Sequence, residues 1–248
     1  MNNGRFGNGS NGTAQASAPS FQLGERLIYL MIAVIMGVGV ATANAAPSFL
    51  EGYYLVEDGI LEWFTVGLLL FLAALCVQRA MRLRNVRQRL FLFSLVFIAF
   101  GFIFVAGEEL SWGQRIFSIQ TPPWLEERNQ QGELNIHNFV TDDFSVNKVI
   151  FGQALTVVLV FYMFALPWAA GRLPQVNRLV ELLGLPLPKI GQALGFFPAV
   201  FLPDLLLDSD QADEMMEVCG ILMLVAIFLY PKNSYVFSDD WREAHAGP

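Results

Sequence analysis

Long apolar runs alternate with polar segments along most of the chain. Each run approaches the roughly 17–25 residues that a helix needs to cross a bilayer, and backbone groups in lipid must be hydrogen-bonded within their own segment. We therefore predict an all-α fold, a polytopic transmembrane bundle of about six helices. The predicted spans lie near residues 27–46, 60–78, 90–106, 149–170, 190–207 and 215–230. The fifth contains Pro198 and Pro203, which would suit a discontinuous helix, and the sixth is short.

Polar segments flank this transmembrane domain, which we place at residues 23–230. Residues 1–22 are rich in Gly, Asn and Ser and are predicted to form a disordered cytoplasmic tail. Residues 231–248 are predicted to form a second cytoplasmic tail. The longest polar segment between spans, residues 108–147, is predicted to be a structured loop on the outer side.

The positions of Lys and Arg predict this orientation. Short cytoplasmic loops are enriched in both residues, and five arginines lie between the second and third spans, at positions 79–89. If both termini are cytoplasmic, all of the 15 Lys and Arg lie inside except Arg115, Arg128 and Lys148. An even number of spans satisfies this arrangement.

The first span has an alternative interpretation. Residues 27–41 followed by ATANAAPS also resemble the apolar core and small-residue cleavage site of a secretory signal. Cleavage after Ala45 would leave five spans with the same loop orientations. The polar region that precedes the run is unusually long for a signal, which favours an uncleaved helix.

Composition agrees with a membrane location and excludes some partners. The chain is 54% hydrophobic and 15% charged, whereas a soluble domain carries about 25% charged residues. The net charge is −7, and most of the 22 Asp and Glu fall on the predicted outer side. An acidic outer face disfavours nucleic acid as a partner and favours cations or polar neutral groups.

The stretch GEELSWGQRIF, residues 107–117, ends the third span. Charged residues at membrane depth are costly and generally face protein or water rather than lipid. If the helix continues past Gly107, one stripe of it carries Glu108, Ser111, Trp112 and Arg115. The alternative is that Glu108 or Glu109 marks the membrane boundary and pairs with Arg115 or a neighbouring helix.

Other predicted spans bring carboxylates to about the same depth. Glu62 lies near the start of the second span, Asp204 lies near the end of the fifth, and Asp213, Glu214 and Glu217 open the sixth. One such residue would mark a boundary. Four helices that share the feature suggest a polar cavity that opens outward.

The loop carries a second polar motif, QGELNIHN, at residues 131–138. In an extended conformation Gln131, Glu133, Asn135 and His137 would all face one way, and in a helix Glu133 and His137 would share a face. A lone histidine in a loop is more often a hydrogen-bonding residue than a metal ligand. The surrounding acids and amides bring the two interpretations close to even.

Three strings, EDGILEWFT, GEELSWGQRIF and NQQGELNIHN, together resemble an uncharacterised family of bacterial polytopic inner-membrane proteins. The resemblance covers about residues 57–140. It implies a bacterial inner-membrane protein with these residues at its defining site. It implies no catalytic role.

The candidate site residues follow from these motifs. Candidates for catalysis are Glu108, Glu109 and His137, and candidates for metal binding are the same three with Asp204. Candidates for ligand binding are Glu62, Trp63, Ser111, Trp112, Gln114, Arg115, Gln131, Glu133, Asn135, Asn138 and Asp204. Carboxylates and amide oxygens with one histidine would suit Ca²⁺, Mg²⁺ or Mn²⁺ better than Zn²⁺. The HExxH, GxSxG and Walker patterns are absent.

Three functions remain open from the sequence. The first is an outward-facing site that binds a divalent cation or a polar headgroup of a lipid or envelope precursor, with a hydrolytic version in which a carboxylate activates water. The second is a non-enzymatic subunit or assembly factor whose outer loop docks a membrane-protein partner. The third is a cation- or proton-coupled transporter, since acidic residues in spans often relay protons.

Overall fold

A computed structural model of the chain describes residues 22–54, 59–141, 144–145, 154–207 and 212–240. Its helices are α1 (Leu23–Ala45), α2 (Ile60–Leu83), α3 (Arg89–Glu109), α4 (Leu155–Ala170), α5 (Pro174–Leu183), α6 (Ile190–Leu206) and α7 (Ala212–Leu229). Shorter helical turns lie at Pro47–Phe49, Leu50–Tyr54, Ser111–Gly113, Gln114–Phe117, Pro123–Glu126 and Ser234–Phe237. Two short antiparallel strands are β1 (Val140–Thr141) and β2 (Phe144–Ser145). The all-α prediction is confirmed.

Helix length and composition agree with a membrane location. Within the described residues, α1, α2 and α3 are long and apolar enough to cross a bilayer, whereas α4 and α6 are apolar but shorter. α4 is π-helical over Phe161–Ala165, and the first residues of the fourth predicted span, 149–153, lie outside the described residues. α6 is one helix with both Pro198 and Pro203 inside it, so the fifth predicted span is not broken.

The apolar core is organised around α7, which packs against α1, α2 and α6. Its buried side chains recur on every face, including the fully buried Met215, Leu222 and Ile227. α1 approaches α7 closely at Gly39, where any side chain would collide with Met215. α2 packs along both α3 and α7. The most buried helix is therefore the last helix that the structure describes.

The bundle has two chemically different ends. At the loop end, α2 begins and α3 ends; at the arginine end, α2 ends and α3 begins. α7 runs in the same direction as α2, because Arg79 near the end of α2 donates a hydrogen bond to the carbonyl of Phe228 near the end of α7, at 2.5 Å. The first turns of α2 and α7 therefore meet the last turn of α3 at the loop end.

The arginine end contains structure that the sequence did not predict. Residues 171–189 were interpreted as a loop, but they include α5. Residues 231–240 were assigned to a tail, yet Val236 and Phe237 are buried against Phe91 of α3. Residues 1–21 and 241–248 of the two predicted tails lie outside the described residues.

A buried ion pair also lies at the arginine end. Glu25 in the first turn of α1 is 0% exposed. It accepts hydrogen bonds from Lys189 Nζ at 2.9 Å and from Gln192 Nε2 at 2.8 Å. A buried charge is tolerated when it is paired and hydrogen-bonded, so this contact ties the start of α1 to the start of α6.

Candidate functional site

α3 ends in a left-handed turn that returns Trp112 to the helix. Ser111, Trp112 and Gly113 have φ angles of 44°, 55° and 75°, a region that residues other than glycine rarely adopt. The Trp112 ring lies over Gly107, where a Cβ would come within 2.9 Å of two ring carbons. The predicted stripe along a continued helix is therefore wrong, because the left-handed backbone cannot extend the right-handed helix beyond Glu109.

Glu108 holds the loop against the end of α3. Its side chain is buried, and Oε1 accepts a hydrogen bond from Trp112 Nε1 at 2.8 Å. Oε2 accepts the backbone N–H groups of Ile136 at 2.6 Å and His137 at 3.0 Å. His137 Nδ1 lies 3.8 Å from the same oxygen. Both carboxylate oxygens are thus occupied by the protein's own donors.

Glu133 makes a second carboxylate anchor on the loop side. Ser111 Oγ donates to its Oε2 at 2.5 Å, and Asn135 Nδ2 donates to the same atom at 3.0 Å. Arg115 forms an ion pair with Oε1. The motif GEELSWGQRIF and the motif QGELNIHN are therefore in contact, and their polar side chains hydrogen-bond to each other.

Asn129 organises the interior of the loop, and the sequence analysis did not identify it. Its Nδ2 donates to the carbonyl of Asn135 at 3.0 Å and to Asn135 Oδ1 at 2.8 Å. Its Oδ1 accepts the backbone N–H groups of Gln131 at 2.9 Å and Glu133 at 3.1 Å. An asparagine oxygen that accepts the N–H two residues on is an Asx turn, and the Asn-rich composition of this stretch is the only sequence signal for it.

Gln114 and Thr121 complete the same network. Gln114 Oε1 accepts the backbone N–H of Leu134 at 2.5 Å, and its Nε2 donates to Thr121 Oγ1 at 2.7 Å. Thr121 in turn donates to the carbonyl of Gly132 at 2.8 Å. The chain from 129 to 138 is a series of turns rather than a strand or a helix, so neither conformation considered for QGELNIHN is present.

A second group of carboxyl side chains lies on the helices at the loop end. We call Glu62 of α2, Glu109 of α3, and Glu214 and Glu217 of α7 the acidic cluster. Glu62, Glu214 and Glu217 all lie close enough to Glu109 to act on it electrostatically. Glu62 is buried, Glu109 and Glu214 are half-buried, and Glu217 is exposed. The acidic cluster therefore reaches from the interior to the surface.

His137 connects the loop network to the acidic cluster. Its Nδ1 lies 3.8 Å from Glu108 Oε2, and it also acts electrostatically on Glu217. The loop network and the acidic cluster are therefore neighbours.

Thr65 marks an unsatisfied position beside the acidic cluster. It lies one turn after Glu62 on the buried face of α2 and is 2% exposed. Its Oγ1 has no hydrogen-bond partner among the described residues. Buried polar atoms are rarely left without a partner, so a group bound at this position would satisfy the hydroxyl.

Several predicted site residues lie elsewhere. Asp204 is exposed on α6, and the Trp63 side chain is also exposed. Asn138 and Gln131 are hydrogen-bonded to each other within the loop. Among the residues that the structure describes, no three His, Cys, Asp or Glu side chains are grouped so as to hold a metal ion. The structure therefore gives no support to the predicted metal set.

No protein family, curated protein or solved structure matches this chain.

Proposed function

We propose that this chain is a polytopic protein of the bacterial inner membrane whose acidic cluster binds an ammonium-bearing headgroup of a lipid or envelope precursor. In this proposal six helices cross the membrane, both termini are cytoplasmic, and the loop end faces outward. The distribution of Lys and Arg supports this orientation.

The observation that carries the proposal is that Glu62, Glu109 and Glu217, from three different helices, lie close enough at the loop end to act on one another electrostatically. An ammonium group offers three hydrogen-bond donors and a positive charge. It matches a site that presents several carboxyl oxygens and the unpartnered hydroxyl of Thr65. A calcium site draws on several carboxylates among its six to eight oxygen ligands, and among the described residues no three His, Cys, Asp or Glu side chains are grouped so as to hold an ion.

Aromatic side chains at the loop end support a headgroup as the ligand. Trp112, Phe117 and Trp124 are 44%, 72% and 61% exposed. Aromatic residues concentrate at the level of lipid headgroups, where their rings are partly in lipid and partly in water. The loop network would hold these rings beside the acidic cluster, which would lie at headgroup depth.

The same exposed rings favour a second candidate, docking of a membrane-protein partner on the loop. Ile116 and Phe117 are adjacent, large and exposed, and exposed apolar patches often mark interfaces. The transport hypothesis has less support, because apolar packing follows the acidic cluster along α7. The fully buried residues there are Leu222, Met223 and Ala226.

A hydrolytic version of the proposal would use Glu109 and Glu217 as the acid–base pair. Glu108, predicted as a catalytic candidate, is already bound to three donors. A general base must be within hydrogen-bond reach of the proton that it abstracts. Glu109 is therefore a better candidate for the base than Glu108.

Binding of short-chain phosphatidylethanolamine to the purified protein tests the proposal. We expect Glu217→Gln to weaken binding about tenfold, because a hydrogen bond to a charged group contributes ~1.5 kcal/mol or more. Glu127→Gln removes one exposed carboxylate of the loop and should leave the affinity unchanged. Affinity can be measured by native mass spectrometry against phosphatidylcholine, whose quaternary ammonium has no N–H donor, as the reference lipid.

Two results would contradict the proposal. One is phosphatidylcholine binding as tightly as phosphatidylethanolamine. The other is unchanged phosphatidylethanolamine affinity in Glu217→Gln. Stoichiometric Ca²⁺ or Mg²⁺ binding that is lost in the same variant would instead establish the divalent-cation function.

A further inference from the structure

A cavity of about 230 Å³ lies at the arginine end, between α5 and the turn that joins α2 to α3. It lies at the opposite end of α2 and α3 from the acidic cluster. The side chains that line it are Arg87, Gln88, Phe91, Arg178, Glu181 and Leu182.

The cavity is lined by positively charged side chains, one of which is buried away from water. Arg87 is 7% exposed, its guanidinium lies 4.2 Å above the ring of Phe91, and Nη2 donates to the backbone carbonyl of Glu181 at 3.0 Å. Burial lowers the pKa of Arg87, although the nearby Glu181 and Tyr235 oppose this effect. Arg178 is exposed and adds a second guanidinium at the mouth.

The carboxylate of Glu181 is held by other donors. Its Oε1 accepts hydrogen bonds from Asn177 Nδ2 at 2.8 Å and from the Tyr235 hydroxyl at 2.7 Å. Two guanidinium groups and one carboxylate leave the lining with a net positive charge.

The start of α3 adds to the positive field. Gln88 is the N-cap residue and makes no side-chain hydrogen bond to the first turn. The first backbone N–H groups of a helix have no partner within it and carry a partial positive charge. Both Gln88 and Phe91, three residues later, line the cavity, so it opens at this helix end.

An apolar surface leads away from the cavity along α3. Leu90, Phe93 and Phe97 are 45%, 66% and 66% exposed and recur at the spacing of one helix face. Leu179, which follows Arg178 in α5, is also exposed. A ligand with an anionic head and long apolar chains would match both the cavity and this stripe.

We infer that this cavity binds the phosphate of an anionic phospholipid, with Arg87 and Arg178 as the phosphate-binding residues and its acyl chain along the exposed face of α3. Basic pockets between membrane helices commonly bind such headgroups. Arginine suits the role because its planar guanidinium donates two parallel hydrogen bonds to a phosphate. The inference does not depend on the acidic cluster having any ligand.

Lipid affinity of a charge-neutralised variant tests this site. We expect Arg178→Ala to lower the affinity for phosphatidylglycerol about fivefold, since one basic side chain contributes ~1 kcal/mol to binding of an anionic lipid. Arg172→Ala is the matched control, because Arg172 is an exposed arginine that stacks on Trp168 and does not line the cavity. It should leave affinity unchanged. Arg178→Lys keeps the charge but loses the paired hydrogen bonds of the guanidinium, so it should recover only part of the binding.

Native mass spectrometry of the whole chain with phosphatidylglycerol, with phosphatidylcholine and with inorganic phosphate separates the outcomes. Selective loss of phosphatidylglycerol in Arg178→Ala supports the site. Equal losses in the Arg172 and Arg178 variants would show general charge attraction and overturn it. Inorganic phosphate that displaces phosphatidylglycerol at low millimolar concentration would assign the cavity to a free anion and overturn the lipid.

Discussion

At the scale of single residues, the carboxyl groups at the loop end perform two different tasks. The carboxylates of Glu108 and Glu133 accept hydrogen bonds from other groups of the protein. Glu109, the sequence neighbour of Glu108, instead lies within electrostatic reach of Glu217 on another helix. Adjacent residues of a helix lie about 100° apart, which explains how one dipeptide serves both the loop network and the acidic cluster.

Glu108→Gln should weaken the loop network. A carboxylate has two acceptor oxygens, whereas an amide has one oxygen and one donor group, so either Trp112 Nε1 or the backbone N–H pair would face a donor. We expect a loss of ~2 kcal/mol in the stability of the loop, from the usual contribution of a hydrogen bond to a charged group. Hydrogen exchange at Ile136 and His137 should accelerate accordingly.

The control for this prediction is Glu127→Gln, an exposed substitution of the same kind in the same loop. It should not change exchange at either amide. Unchanged exchange at Ile136 and His137 in Glu108→Gln would show that the carboxylate does not hold the loop.

At the scale of elements, the end of α3 depends on a close contact between the helix and its own following turn. Gly107→Ala would place a Cβ 2.9 Å from the Trp112 ring and displace it from Glu108. In an open helix position the same change stabilises by ~1 kcal/mol, as we expect for Gly101→Ala, where no atom lies within 4 Å. We expect the melting temperature to fall in Gly107→Ala and to stay level or rise in Gly101→Ala.

Thermal denaturation of the two variants in one detergent gives the comparison. A Gly107→Ala protein as stable as Gly101→Ala would mean that Trp112 does not pack on the helix.

The elements also show how far sequence reasoning extends. The long apolar runs predicted α2 and α3, because burial in lipid demands apolar residues in continuous stretches. α5 was read as a loop although its sequence carried helix signals, with Pro174 at the first position and Gly184 after the last. The segment between the fourth and fifth predicted spans is short and contains Arg172, Arg178 and Lys189. These features favoured a cytoplasmic loop.

The sequence predicted several residues of the candidate site but not the backbone geometry that brings them together. Ser111, Glu133 and Asn135 do come together. The left-handed backbone at Ser111 and Trp112 has no sequence signature, since neither residue prefers it. Asn129 was missed because a buried hydrogen-bonding asparagine looks like any other polar loop residue until its partners are known.

At the scale of the whole molecule, the two ends of the bundle differ in charge. The loop end carries the acidic cluster and the arginine end carries Arg79, Arg82 and Arg87. We predict that the loop end faces outward, because arginine-rich turns stay on the cytoplasmic side.

Labelling of single introduced cysteines tests this orientation. Gln130→Cys in the loop should react with a membrane-impermeant maleimide in intact cells, and Asn85→Cys in the α2–α3 turn should react only after the cells are opened. Both positions are exposed, whereas the native Cys76 and Cys219 are buried and should give little background. The reverse pattern of labelling would invert the topology.

The central position of α7 has a consequence for biosynthesis. Helices are synthesised in chain order. α7 is therefore made after α1, α2 and α6, the helices that pack against it. Those helices cannot complete their shared core while α7 is still being translated. The acidic cluster is likewise incomplete until then, because Glu214 and Glu217 belong to α7. The protein therefore acquires its core and its candidate site in the same late step of synthesis.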